Sequence, residues 1–304
     1  MSAALISVLM TAYNREKYIA EAIESVLASS FKDFELIIVD DCSNDHTVEI
    51  ARRYKSDPRV QVHMNQKNLG DYPNRNRAAS LARGKYLKYL DSDDVIYPHG
   101  LEVMVSSMKQ FPEAVLGFCS RTSDGTDDRV RPLSNHGPAP AQVSPAEAYV
   151  QHFLKGGFLD AGPSGTIIRT SAFHAVGGFT GKRFVGDTEM WLRLAARWPV
   201  VRLVQGLVWW RQHYQQEIVF ERADIEVVVN RYLVFLEALG ASKCPLCPKR
   251  RKDVLAWLHR SHARTLLRLG LSRARPLEAW RIMRESGFRL RQLHQAFSAP
   301  IRSD

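Results

Sequence analysis

The alternation of short apolar runs with helical-period segments over the first 119 residues constrains this chain more than any other feature. ISVLM (6–10), ELIIVD (35–40), RVQVHM (59–64), KYLKYL (85–90) and AVLGFC (114–119) are strand-length runs of mostly apolar residues. Between them, apolar residues recur at helical spacing, as in Ile19, Ala22, Ile23, Val26 and Leu27. The pattern predicts further helices over 45–54, over 74–82 with Gly84 as C-cap, and over 100–110. Strands alternating with helices through short loops form a mostly parallel sheet covered on both faces. Runs such as LIIV fit strands buried on both sides. The predicted class is therefore α/β.

Residues 121–140 break this rhythm. They are polar and rich in Gly, Pro and Asp, and read as a long surface excursion. Pattern returns with GTIIR (165–169), a helix over 171–176, a GGF turn at 177–179 and a helix from about 187 to 197. Beyond Gln215 only helix is expected.

In open parallel sheets, ligands bind beyond the carboxyl ends of the strands. Thr11, Ala12, Tyr13 and Asn14 fall there after the first strand, Asp40 and Asp41 after the second, and Asp91, Ser92, Asp93 and Asp94 after the fourth. Three carboxylates within four positions repel one another unless positive charge sits among them. Neither GxGxxG nor GxxxxGK[ST] follows the first strand, so no glycine loop cradles phosphates. Carboxylates can instead hold Mg²⁺ or Mn²⁺, which prefer oxygen ligands and complete their shells with substrate phosphates. The Asp-Ser-Asp-Asp run thus predicts a metal–diphosphate site.

Composition bears on the competing classes. The net charge of +10 is uneven: residues 241–304 hold 15 basic and 4 acidic groups, and the other 240 residues hold 27 and 28. A nucleic-acid-binding protein is one alternative, but the basic surplus is confined to the tail and the predicted site is acidic, so no nucleic acid is expected. A sugar-nucleotide nucleotidyltransferase is another. It would show a glycine- and basic-rich loop early in the chain, and MTAYNREKY has no glycine. The four cysteines, few and unevenly placed, suit a reducing cytosol. Cys244 and Cys247 form a lone CxxC, read as the proline-rich start of a helix rather than a zinc site. No apolar run approaches the roughly 20 residues that span a bilayer. A cytoplasmic protein is expected.

ISVLMTAYN, FKDFELIIVDDCSNDHT, NRNRAASLARGKYLKYLDSDD, VGGF and GDTEMWLRLA follow in the order and approximate spacing of inverting family 2 nucleotide-sugar glycosyltransferases of the GT-A fold, which the chain resembles over residues 6–213. The resemblance implies a catalytic domain over 1–215, with a nucleotide-binding half (1–119) and an acceptor half (120–215). Residues 216–304 remain as a basic helical extension. Thr11, Ala12 and Tyr13 look like the first nucleotide-contacting loop. Asp41 resembles the carboxylate that accepts a pyrimidine imide N–H, a role Asp40 could fill instead. Arg75 corresponds to a basic residue near base and diphosphate. Asp91 and Ser92 would lie on the ribose side. Asp93 would ligate Mn²⁺ or Mg²⁺, and Asp94 would sit close by or cap the following helix.

The family carries an acidic pair at the start of a helix. Here Gly186 replaces its first member, leaving Asp187 as the implied catalytic base and Glu189 as the fallback. WWRQHYQQ (209–216) resembles a strand end that brings Arg211 to the diphosphate and His213 to the metal. The implied partners are a UDP-type nucleotide-sugar donor and a saccharide or lipid-linked acceptor. Within the extension, Leu255, Leu258, Leu266 and Leu269 can share one face. That helix would serve packing, a homodimer contact, or peripheral contact with an anionic membrane.

Overall fold

The computed structural model describes residues 4–119, 122–123, 139–213, 225–268, 275–289 and 292. Most of the 121–140 excursion therefore lies outside the described residues. The first half reads β1 (Ile6–Ala12), α1 (Ile19–Leu27), β2 (Phe34–Asp40), α2 (Thr47–Arg52), β3 (Val60–Met64), α3 (Asp71–Leu81), β4 (Tyr86–Tyr89), β5 (Val95–Ile96), α4 (Gly100–Gln110), β6 (Leu116–Phe118) and β7 (Thr122–Ser123). The second half reads β8 (Ala141–Val143), α5 (Pro145–Leu154), β9 (Thr166–Arg169), α6 (Thr170–Ala175), α7 (Gly186–Ala195), β10 (Val200–Arg202) and β11 (Val208–Trp210). Three helices end the described chain: α8 (Ile225–Gly240), α9 (Pro248–Leu267) and α10 (Pro276–Glu285).

Eight strands form the main sheet in the order β3-β2-β1-β4-β9-β6-β10-β8. Four neighbouring pairs are parallel. β9 runs antiparallel between β4 and β6, and β8 runs antiparallel on β10. β1 and β2 are buried along nearly their whole length, as their continuous apolar runs require. A second, three-stranded sheet joins β5, β11 and β7. This small sheet matters for the site, because it carries the residues after β11 back to the loop after β4.

The limits of α2, α3 and α7 differ from those expected, α2 spanning Thr47–Arg52 and α7 Gly186–Ala195. α3 begins at Asp71 rather than at 74, since Pro73 stands in the first turn, where no intrahelical N–H is required. Gly84 does not cap α3. A Cβ there would lie 2.5 Å from the Ser7 backbone nitrogen, so the position is glycine to let the chain pass against β1. Ser7 Oγ accepts from Gly84 N at 2.9 Å and donates to buried Glu35 at 2.7 Å, tying β1, β2 and this turn together.

The C-terminal helices share the core of the rest of the chain. Tyr232, Val234, Phe235 and Leu239 of α8, with Val254 and Leu258 of α9, belong to the same buried cluster as Phe153 of α5 and Trp191 of α7. The buried face of α9 runs through Val254, Leu258, His259, His262 and Ala263. It is rotated from the expected leucine face; Leu255 and Leu266 are only partly buried, and Leu269 lies outside the described residues. Cys247 is the N-cap of α9 with Pro248 behind it, the proline-led start that was expected.

Candidate active site

Three loops meet beyond the carboxyl ends of β1, β2 and β4. Parallel pairing aligns these ends: Ala12 lies beside Asp40, and Leu9 lies beside Tyr89, so the loops after these strands open on the same side. β1 runs two residues further than expected, so Thr11, half-buried, and Ala12, buried, end the strand, and Tyr13 just beyond it is 45% exposed, open to stack on a planar ligand. Asn14 follows at φ 52°, the left-handed region that Asn tolerates. Its backbone N–H donates to Ser43 Oγ, and its side chain accepts from Asn44 N–H, so the β1 and β2 loops are stitched together.

Asp40 and Asp41 face different loops. Asp40 is a turn-capping residue, accepting from the N–H and hydroxyl of Ser43. Asp41 reaches the other way and accepts from Asn65 Nδ2, Leu69 N and Gly70 N, fixing the turn that launches α3. Those three bonds occupy three of about four lone-pair positions on the carboxylate. One Oδ2 position is not used by these three bonds.

The acidic loop after β4 is held from three sides. Ser164 Oγ accepts from Asp91 N at 2.9 Å, Ser92 is buried, and Asp94 N donates to Asp91 O at 2.9 Å in a tight turn. Asp94 does not cap α4; its Oδ1 accepts from Arg211 N at 3.2 Å. Asp93 Oδ2 meets Arg15 Nε at 3.2 Å and His213 Nε2 at 3.0 Å. Arg15 is thus a positive group that the carboxylate run demanded and that sequence reasoning did not name.

Behind these contacts, Tyr18 stacks on His213 with ring centroids 4.6 Å apart. Arg211 lies between the Tyr18 and Trp209 rings, donates from Nε to Asp93 O, and pairs with Glu21 of α1. In this arrangement Arg211 braces the acidic loop against α1 and β11.

Arg75 is the second cation and the hub of the site. Its side chain, 9% exposed, ion-pairs with Asp71 at 2.9 Å and with Asp91 at 2.8 Å. Burial works against its charge, but Asp71, Asp91 and Asp187 outweigh this and hold it protonated, well above its ordinary range. Asp187 of α7 therefore lies within electrostatic reach of the acidic loop although nearly a hundred residues separate them. Asp71 was not anticipated; its i,i+4 spacing to Arg75 on a helix was the available signal.

α7 also separates the two base candidates. Glu189 is buried, ion-paired to Arg193 at 2.9 Å and bonded by Thr180 Oγ1 at 3.0 Å, so it locks α7 to the Gly177–Gly178 turn. Asp187 is half-buried in the first turn. Gly186 explains the missing family acid. A Cβ at 186 would lie 2.5 Å from the Tyr72 ring, and Gly186 N donates to Tyr72 Oη at 3.0 Å. Burial, with Asp187 and Asp71 nearby, pushes the Tyr72 phenol far up and keeps it protonated.

The donor set fits a divalent cation bound mainly by substrate. Asp93 and His213 converge from separate loops as one oxygen and one nitrogen donor. A Mg²⁺- or Mn²⁺-diphosphate needs only one or two protein ligands. Among the described residues no group of three or more His, Cys, Asp or Glu forms a closed metal cage.

A mixed sheet of this order, with helices on both faces, has the GT-A fold. The family model described as "Glycosyl transferase family 2" matches residues 7–177, and the chain belongs to that family. TuaG of Bacillus subtilis, a glycosyltransferase named for teichuronic acid biosynthesis, is 38% identical over 125 residues, covering 40% of this chain and 50% of TuaG. Against curated relatives of this kind the chain spans between 17% and 50% of their own length.

Among solved structures, S. aureus TarS 1–349 in complex with UDP-GlcNAc superposes with a TM-score of 0.74 at 21% identity, covering 96% of this chain and 84% of TarS. The mannosyltransferase PcManGT of Pyrobaculum calidifontis, in complex with GDP-Man and Mn²⁺, gives 0.62 at 14% identity, covering 94% and 76%. At these identities the likeness is one of fold.

Proposed function

We propose that this glycosyltransferase moves a sugar from a UDP-type nucleotide sugar to a hydroxyl of a saccharide or lipid-linked saccharide, with inversion at the anomeric carbon and with Mn²⁺ or Mg²⁺ as cofactor. The observation that carries it is the convergence on Arg75, which joins Asp71 and Asp91 and lies beside Asp187. In this reading the acidic loop serves the donor, and the Asp187 carboxylate, on a separate helix, serves the acceptor.

In this reading Tyr13 offers its ring to the base, and Asp41 accepts an imide N–H at its remaining position. Thr11, Ala12, Asp91 and Ser92 line the nucleoside. Asp93 with His213 would hold the metal, whose chemistry is to neutralise charge on the leaving diphosphate. Arg75 stays charged beside the same group. Asp187 takes the proton of the acceptor hydroxyl as its oxygen bonds to the anomeric carbon. The bond from that carbon to the diphosphate oxygen breaks, and its electron pair leaves with the nucleoside diphosphate. Single displacement of this kind inverts the centre. TarS bound to UDP-GlcNAc and PcManGT bound to GDP-Man with Mn²⁺ support a nucleotide-sugar donor and a metal. TuaG supports an envelope polysaccharide as acceptor.

Calorimetry with UDP, dTDP and GDP, each with Mn²⁺, is the direct test. Tight Mn²⁺-dependent binding of one diphosphate is expected, with UDP preferred. Failure to bind any diphosphate, or release of pyrophosphate from a nucleoside triphosphate with a sugar phosphate, would sink the reading.

A further inference from the structure

The end of the described chain presents an apolar surface that the transferase site does not use. On α10, Ile282 is fully buried and anchors the helix inward, while Ser286 and Phe288 beyond it are also buried. The opposite face carries Leu277 (81% exposed), Trp280 (53% exposed), Arg281 and Arg284, at positions i, i+3, i+4 and i+7. The Arg284 guanidinium lies 4.9 Å over the Trp280 ring. At the end of α9, exposed Arg264, Leu267 and Arg268 share a second face. Between the two helices runs a groove of about 290 Å³ lined by Ala263, Leu266, Leu267, Ala279 and Met283, with Arg289 at its edge.

We propose that this outward face of α10, together with the end of α9, docks on an anionic lipid bilayer. Exposed Leu and Trp side chains flanked by arginines are what an interfacial helix shows: the apolar groups enter the headgroup–acyl boundary, and the cations meet lipid phosphates. The charge is complementary, with 15 basic against 4 acidic groups in residues 241–304. The same surplus argues against a second copy of this chain, since two such faces would repel. A nucleic acid would meet the arginines but offer no apolar medium for Leu277. No described helix is long and apolar enough to cross a membrane, and the contact proposed is a peripheral one. This inference is independent of the donor and acceptor reading.

The test is co-sedimentation of the full chain with vesicles of phosphatidylcholine alone and of phosphatidylcholine mixed with phosphatidylglycerol. Binding is expected with the anionic vesicles only, and it should fall as salt is raised. Leu277→Asp with Trp280→Ser should abolish it with the melting temperature unchanged. Arg281→Ser with Arg284→Ser should weaken it by an order of magnitude or more, since each basic group near the lipid contributes roughly fivefold. Equal pelleting with neutral vesicles would overturn the proposal. So would no pelleting at low salt. A concentration-dependent dimer lost in Leu277→Asp would reassign the face to a second copy. A large drop in melting temperature for that variant, with no vesicle binding by wild type, would mean that the chain's own C-terminal residues cover it.

Discussion

Two arginines make the acidic site tolerable at the scale of single residues. Arg15 neutralises Asp93, and Arg75 neutralises Asp71 and Asp91, so the carboxylate run does not stand as bare like charge. Asp93→Asn should therefore keep the fold while weakening Mn²⁺-dependent UDP binding by roughly tenfold to a hundredfold, at least what loss of an outer-shell partner costs. Calorimetry with and without Mn²⁺ reads this, and unchanged affinity in Mn²⁺ would remove Asp93 from the metal. Asp187→Asn should lower kcat by roughly a hundredfold or more with donor affinity little changed, because the amide cannot take the acceptor proton. Glu189→Gln should instead lower thermal stability, since Glu189 holds Arg193 and Thr180. A reversed pattern would exchange the two roles. The aspartates themselves were legible in the sequence. Arg15 was not, because it lies 78 residues from Asp93.

Among the apolar contacts that join the elements, the α8–α10 junction also buries two histidines, and its stability should respond to pH. His262 of α9 stacks on Tyr232 of α8 at 4.0 Å, shares a hydrogen bond with Ser286 Oγ at 3.0 Å, and packs on Phe288. His259 shares a hydrogen bond with Tyr232 Oη at 3.0 Å. Burial, then the neighbouring His259, pushes His262 down to about 4, and burial lowers His259 as well. The unfolded state therefore binds more protons between about pH 6.5 and 4. The stabilisation is complete above the unfolded value and is lost as pH falls through this window. A loss on the order of 3 kcal/mol is expected from His262 by pH 4. Hydrogen exchange at pH 7 and pH 5, corrected for intrinsic rates, should show α8–α10 losing protection before β1, β2 and β4. Equal protection of these helices at both values would contradict a neutral buried His262.

For the whole molecule, the described C-terminal helices pack into the same apolar core as α5 and α7. α8 packs on α7, and α9 packs on α5. Phe235 meets Phe153 and His152 edge-on, with centroids 5.1 and 5.2 Å away. A chain ending at residue 224 would expose these rings. At about 1.5–3 kcal/mol for each large apolar side chain returned to water, a fall in melting temperature of about 10 °C or more is expected. Scanning calorimetry of the truncated and full chains measures it. An unchanged transition would show the segment to be an appendage, as the division at 215/216 implies.

The sequence by itself determined the features that local chemistry dictates: the strand–helix alternation, the parallel half of the sheet, and the acidic loop beyond β4. These properties depend on periodicity and on neighbours a few residues apart. Tertiary structure decided everything that depends on distant neighbours. β9 slips antiparallel between β4 and β6, and a three-residue strand, β11, carries His213 to Asp93. Asp41 and Asp40 take different tasks because their side chains face different loops. The face of α9 that is buried is set by the surfaces that α8 and α5 offer to it. Its leucines alone did not locate that face, because apolar spacing fixes that a helix has a side to bury, while the shape of the partner surface fixes which side it is.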